Sequence, residues 1–416
     1  MKEDPAVSQP ARYWIRSPTI WCEERGRFEP GLILIGDGQI RAIEPIATAV
    51  PAVDAVIDLS GSWVLPGLIN THVHLEFSAS SQPLADFEAE TAEERLLRAA
   101  GNAHRLLTSG VTTARDCGSS WIMLALARRP DLSPVMLPRL LCSGPPITVP
   151  KGHLHFMHGV VHDHDEIRAH IDRLEAEGGR SVKVMASGGQ MTPGSLPEET
   201  VFTQESLNLI ADEARRRGLP SVSHVLATES IRRSAIARFD SLEHCAFFER
   251  DGQGVIVRIF DPEVASVVRD SGSAMMANLS TATRYLDGLR ESANRTSAES
   301  HSLRQFDIMV ENFGKMVELG IPMVCGNDAG VRDTPFEDTW LEFAWLVKGG
   351  LPAADAIRAA TSGAAKALLI DDSVGRIARG YSADIIAVAS DPLVDPMAFR
   401  HTTFVMRAGE VIRPSP

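Results

Sequence analysis

The sequence predicts an α/β protein: a (β/α)8 TIM barrel with a small β-sandwich domain built from both chain termini. Three observations predict it. Eight short apolar runs of strand character alternate with helix-like segments between residues 68 and 330, the pattern of a parallel barrel. The two ends of the chain share another texture, short apolar runs separated by turns. Chemistry-bearing side chains also recur at the ends of the middle runs, where barrel strands bring functional groups together. The expected division is 1–65 and 370–416 for the two parts of the sandwich and 66–369 for the barrel.

The N-terminal part runs as strands from Ile15 to Val64. Its clearest signal is LILIGDGQIRAIEP (32–45), whose alternation about a central Gly-Asp-Gly reads as a β-hairpin. Barrel strands are expected at LINTHVHL (68–75), VTTARDCG (111–118), RLLCSGP (139–145), SVKVMASGG (181–189), PSVSHV (220–225), SLEHC (241–245), SAMMANLS (273–280) and PMVCGNDAG (322–330). Between them, AEERLLRAAGNAHRLLTSG and QESLNLIADEARRRG space apolar residues three and four apart and end at Gly, as amphipathic helices do. The segment NLSTATRYLDGLRESANRTSAESHSLRQF (278–306) reads as a long polar loop, and such loops tend to cover a barrel pocket. The tail, RIARGYSADIIAVASDPLVDP and then TTFVMRAGEVIRP, returns to the texture of the first strands.

Composition narrows the function classes. The 416 residues are 44% hydrophobic and 23% charged, ordinary for a globular protein. The net charge of −13 carries no long block of one sign, so no nucleic-acid partner is expected, because neutralising phosphates needs clustered Lys and Arg. The cysteines, Cys22, Cys117, Cys142, Cys245 and Cys325, are odd in number, widely spaced and form no CxxC pair. They read as small buried hydrophobes, not as a disulfide framework or a thiolate zinc site. The first residues, MKEDPAVSQPARYW, are charged and broken by prolines, unlike a secretory signal. No stretch is long and apolar enough for a bilayer, so no membrane partner is expected and the cytoplasm is the expected location.

The chemistry gathers at strand ends. His72 and His74 are two apart on the first strand, so both rings point the same way. Lys183 interrupts an apolar strand, although lysine is seldom buried without a partner. His224, His244 and Asp328 fall at the ends of strands five, six and eight. Each has a plain alternative: a core histidine, a helix N-cap, an ion pair. Six metal-capable side chains at one end of a barrel are what a metal site requires.

The motifs VLPGLINTHVHL, GVTTARDCG, VKVMASGG, SHV, LEHC and GNDAG resemble the amidohydrolase superfamily, and DDSVGRIARGYSADIIAVASDPL is similar to its closing segment. The resemblance extends from Ile15 to Pro414 and is greatest to the prolidase-like and imidazolonepropionase-like branch with a strand-four lysine; the deaminase and chlorohydrolase branches lack that lysine. It implies two divalent metal ions, with zinc the first choice and manganese or cobalt able to substitute. His72, His74 and Asp328 would hold one and His224 and His244 the other. Lys183, carboxylated by CO2 to a carbamate, would bridge both beside a hydroxide. Burial independently disfavours the ammonium form of such a lysine, leaving a neutral amine able to attack CO2. Against two divalent ions, the carbamate, carboxylate and hydroxide leave a modest positive charge, suited to a developing oxyanion.

The implied reaction is metal-dependent hydrolysis of an amide-type C–N bond in a small-molecule substrate: a peptide, N-acyl amino acid, aryl amide, urea or carbamate. The metal-bridging hydroxide attacks, and Asp328 passes its proton to the leaving nitrogen. His153, in KGHLHF after strand three, matches a family histidine that holds the carbonyl or the tetrahedral intermediate. His155, His158, His162 and His164 are given no role and read mostly as a solvated loop. Dipeptidases of this branch often carry an aromatic residue two positions after the strand-five histidine, to bind a terminal carboxylate. Leu226 stands there, and Asn327 stands where threonine is commoner before the aspartate. Leu226 and the apolar Met191 point to a less charged substrate, an N-aryl or N-alkyl amide, urea or carbamate. Tyr285, Arg284 and Arg332 are further candidate ligand contacts, with surface or ion-pair roles as their alternatives. Two other readings stay open: a lactone or phosphotriester hydrolase using the same binuclear site, and a non-catalytic scaffold, which should have lost metal ligands. A homo-oligomer is also open, since most soluble oligomers are symmetric.

Overall fold

Eight parallel strands alternate with helices in the computed structural model, which describes residues 12–52, 54–281, 283–292 and 294–414. The barrel strands are Leu68–Val73, Val111–Asp116, Arg139–Cys142, Val182–Met185, Ser221–Ala227, Ser241–Arg250, Ala274–Met276 and Met323–Val324, numbered one to eight below. Each overlaps a predicted run. Strands one to three form one ladder and strands four to eight another. Isolated parallel bridges close both seams, Ile147 with Val184 and Val73 with Ala329. Backbone bonds reinforce them: Arg180 N–H donates to Cys142 O (2.9 Å), and Asp328 N–H to His72 O (2.9 Å). Closure leaves no unpaired edge and sets the strand ends in one ring.

The surrounding helices follow their sequence signals. Ala92–Thr108 starts at a capping box, Thr91 with Glu94, and buries Ala99, Ala103, Leu106 and Leu107. Gln204–Arg216 is capped by Thr203 and buries Leu207, Ile210, Ala211 and Ala214. The segment 278–306 differs from its reading as a loop. Its described residues include the helix Thr283–Glu291 and the start of the helix Ser297–Glu318. Thr296 and Glu299 form a capping box there, and Phe306, Asn312, Phe313 and Met316 are buried along one face. Polar composition hid the T-x-x-E start signal.

Strands from both termini join in one unit. Arg12–Cys22, Arg27–Gly36, Gln39–Glu44, Ala55–Asp58 and Trp63–Pro66 pair with Ile385–Val388, Thr402–Arg407 and Glu410–Arg413 in an eight-stranded sheet. The first strand changes parallel partner along its length. Tyr13 to Arg16 pair with 55–58, whereas Ile20 pairs with Val64 beyond an irregularity after Ser17. The sheet thereby gathers its own core of Ile15, Ile33, Ile35, Val64, Ile385 and Phe404. Its hairpin turns at Asp37 and Gly38, with φ of 50° and 73°, the left-handed pair a two-residue hairpin needs. Gly67 joins sheet to barrel where a Cβ would lie 2.1 Å from Thr112 Oγ1. All five cysteines are free, four of them buried. Among the described residues, no helix is long and apolar enough to cross a membrane.

Candidate metal centre

His72 and His74 leave strand one on its inner side. Their Nε2 atoms are 3.3 Å apart, and each is 3.3 Å from Asp328 Oδ1. The other ring nitrogens settle what those Nε2 atoms present. His72 Nδ1 is 2.5 Å from Glu243 Oε2, and His74 Nδ1 is 3.0 Å from Gly118 O. A ring nitrogen facing a carboxylate or carbonyl carries its hydrogen, so in the neutral ring Nε2 offers a lone pair. With both rings neutral, two imidazole lone pairs and a carboxylate oxygen therefore converge on one point. Such a cluster attracts a proton or a metal cation, and a histidine fixed through its second nitrogen is the usual support of a metal ligand.

His224 and His244 stand beside this cluster. The His224 ring lies 4.8 Å from that of His244, which lies 5.3 Å from that of His72. His224 Nε2 is 3.1 Å from Gly188 O, so Nε2 carries the hydrogen and Nδ1 is free to ligate. Ligand atoms of His72, His244 and Asp328 all fall within 4.8 Å of one another. His244 and Asp328 have φ of 74° and 56°, uncommon for residues other than glycine and often found where function holds the backbone.

Lys183 lies in strand four opposite Val222 and is 1% exposed. Its Nζ has no hydrogen-bond partner, a costly state for a buried polar atom. Burial is the main cause that lowers the pKa of His72, of His224, of His244 (to about 4) and of His153 (to about 3). Burial thus favours the neutral, ligating form of these rings. His74 goes the other way: burial lowers it, but its bond to Asp328 and the charge of Asp328 outweigh that. Burial would raise Asp328, yet the neighbouring His72 and His74 hold it far below the carboxylate range. Convergent imidazoles, one ionised carboxylate and an orphaned buried amine fit a divalent-cation centre better than a metal-free core.

The sequence profile of the amidohydrolase family matches residues 63–414. The chain belongs to the amidohydrolase family. An ochratoxinase of Aspergillus niger is 24% identical over 437 residues, spanning 92% of this chain and 85% of that protein. A Xaa-Pro dipeptidase solved with bound methionine superposes with a TM-score of 0.85 at 24% identity, covering 97% of this chain and 100% of that one. Phenylurea hydrolase B does so at 0.80 and 19%, covering 96% of each chain.

In this amidohydrolase the other candidate residues are dispersed. His153 is buried after strand three, with its ring 4.8 Å from that of His224 and its Nδ1 2.9 Å from Thr192 Oγ1. The glycine pair that follows strand four makes room for it, because a Cβ on Gly189 would lie 2.5 Å from the His153 ring. Gly189→Ala is expected to displace that ring and cut kcat/KM by about 10- to 100-fold. Steady-state kinetics, with metal content checked to stay at the wild-type level, tests this. Leu226 is buried against Ala246, Phe248 and Ile256. Tyr285 is half exposed on the helix Thr283–Glu291, Arg332 is exposed, and Arg284 pairs with Asp338. The segment around His153 is not wholly solvated, since Leu154 and Met157 pack with Phe77, Phe87 and Met185. His162 is exposed and pairs with Glu166.

Several supporting residues have no role in the sequence reading. Glu243 holds His72 with one oxygen; with the other it accepts from Arg115 (3.0 Å) and Ser241 (2.8 Å). Strand alternation sets Glu243 and His244 on opposite faces; the left-handed turn at His244 lets both reach His72. Asn278 and Glu342 lie beyond any motif. Burial raises Glu342 to about 7 even though it accepts from the Leu279 and Ser280 amides. A carboxyl raised in the folded state stabilises the fold fully below its unfolded value, and that contribution is lost as pH climbs through the folded value. Stability should therefore fall by up to about 3 kcal/mol between pH 4.5 and 8 from this group. Comparing the melting temperatures of wild type and Glu342→Gln across that window checks it: the gap should shift in favour of the variant as pH rises.

Proposed function

We propose that this amidohydrolase cleaves an amide-type C–N bond of a small-molecule substrate at a two-cation centre. The convergence of His72 Nε2, His74 Nε2 and Asp328 Oδ1 beside the orphaned Lys183 amine carries the reading. His72, His74 and Asp328 would hold one cation and His224 and His244 the other, with Lys183, as its carbamate, between them. Zinc suits the imidazole and carboxylate set, and manganese or cobalt could replace it. Bound there, the cations would polarise the scissile carbonyl and make water nucleophilic at neutral pH.

The chain's own groups do the rest. Asp328 is ionised at neutral pH and can take a proton from the attacking water and deliver it to the leaving nitrogen. His153 is neutral, so it can steady the carbonyl oxygen as an N–H donor without adding a full charge. Glu243 and the Gly118 carbonyl keep the two strand-one imidazoles in one tautomer. Leu226 packs among apolar side chains and offers no donor to a terminal carboxylate. That favours an N-aryl or N-alkyl amide, urea or carbamate over a dipeptide.

Purified protein should be profiled against dipeptides, N-acyl amino acids, aryl amides, aryl ureas, carbamates, lactones and phosphotriesters. Turnover led by the aryl or alkyl substrates is expected. Preferential dipeptide turnover would overturn the substrate class, and turnover of lactones or phosphotriesters alone would overturn the C–N reading. Chelation followed by dialysis should abolish activity, and zinc with bicarbonate should restore it faster than zinc in CO2-free buffer.

A further inference from the structure

Asn278 lies just past strand seven with a φ of 60°, a left-handed conformation that asparagine tolerates. The turn behind it is anchored. Glu342, buried on the helix Thr339–Lys348, accepts from the amides of Leu279 (3.0 Å) and Ser280 (2.7 Å). Its side chain is anchored as well: the Thr281 hydroxyl donates to Asn278 Oδ1 and lies 3.1 Å from the Asn327 carbonyl. This orientation turns the amide nitrogen toward the candidate centre, 3.2 Å from Asp328 Oδ2 and 3.4 Å from His244 Nδ1.

We propose that Asn278 is a positioning residue for Asp328, dividing the carboxylate's work between its two oxygens. Oδ1 is kept at the His72 and His74 nitrogens. Oδ2 accepts from the amide with one lone pair and keeps the other for a proton in transit. Without the amide, the carboxylate is free to rotate, and Oδ2 is no longer held apart for the leaving nitrogen. The inference deepens the hydrolase reading above and rests on it for the kinetic consequence, although the geometric consequence stands alone.

Two substitutions separate the amide from the backbone it sits on. Asn278→Gly keeps the left-handed turn and removes the donor; Asn278→Asp keeps turn and shape and replaces the donor with a repelling carboxylate. In crystals of the metal-free full chain, Asp328 Oδ1 should leave its place 3.3 Å from both Nε2 atoms in each variant. An Asp328 that superposes on wild type in both overturns the inference. In the metal-loaded enzyme, kcat should fall tenfold or more with KM changed less than twofold, and the deficit should be deeper for an alkylamine leaving group than for a nitroaniline. Equal deficits for both would overturn the role in proton delivery. Thr281→Val should reproduce part of the loss and Thr281→Ser should restore it. If wild type hydrolyses no amide, urea or carbamate, the hydrolase reading fails while the crystal comparison still decides the position of Asp328.

Discussion

Lys183→Met is expected to abolish activity while leaving the metal-free protein at least as heat-stable as wild type. The side chain is buried in strand four and its Nζ has no partner. As a core residue it is a poor choice, since an unpaired buried amine costs free energy that an apolar chain of similar length does not. Methionine fills the same space without that cost. It also removes the buried amine that CO2 could carboxylate. The metal content of the variant should drop below that of wild type, and kcat should fall by at least about 10³-fold, the upper range for losing one well-placed electrostatic group. Melting curves of the metal-free proteins, metal analysis and kinetics together make the test. A variant that melts much earlier, or one that keeps both metal and activity, would show that Lys183 serves the core alone.

Asp328→Asn should reduce kcat by about 10²- to 10⁴-fold, the range for losing a general acid–base group. The substitution is clean for a structural reason. Residue 328 has a φ of 56°, and asparagine accepts the left-handed region at least as readily as aspartate. The backbone bond from its N–H to His72 O is kept. What is lost is the negative charge between two imidazoles and the oxygen that can carry a proton. Steady-state kinetics on metal-saturated enzyme checks it, and a kcat within tenfold of wild type would assign proton delivery elsewhere.

The barrel was legible because each strand announces itself locally. Runs such as LINTHVHL and SVKVMASGG are short, apolar and bounded by turns, and the helices between them carry cap and periodicity signals. The metal-capable residues were legible because strand periodicity and strand ends are sequence properties: His72 and His74 are two apart, and His224, His244 and Asp328 end their runs. What local pattern could not reveal depends on contacts across the barrel. Glu243 reaches His72 over 171 residues and Asn278 reaches Asp328 over 50. Glu342 grips the strand-seven turn from a helix 62 and 63 residues on. Polar composition misled at 278–306, where tertiary burial of Phe306 and Phe313 stabilises a helix.

On the function proposed above, Lys183 takes up CO2 and thereby helps to hold two cations. Carbon-13 NMR of protein reconstituted with zinc and ¹³C-bicarbonate tests it most directly. The account predicts one protein-bound carbamate signal per chain, absent from Lys183→Met and lost with the metal on chelation. A fully active, metal-loaded enzyme with no such signal would contradict it.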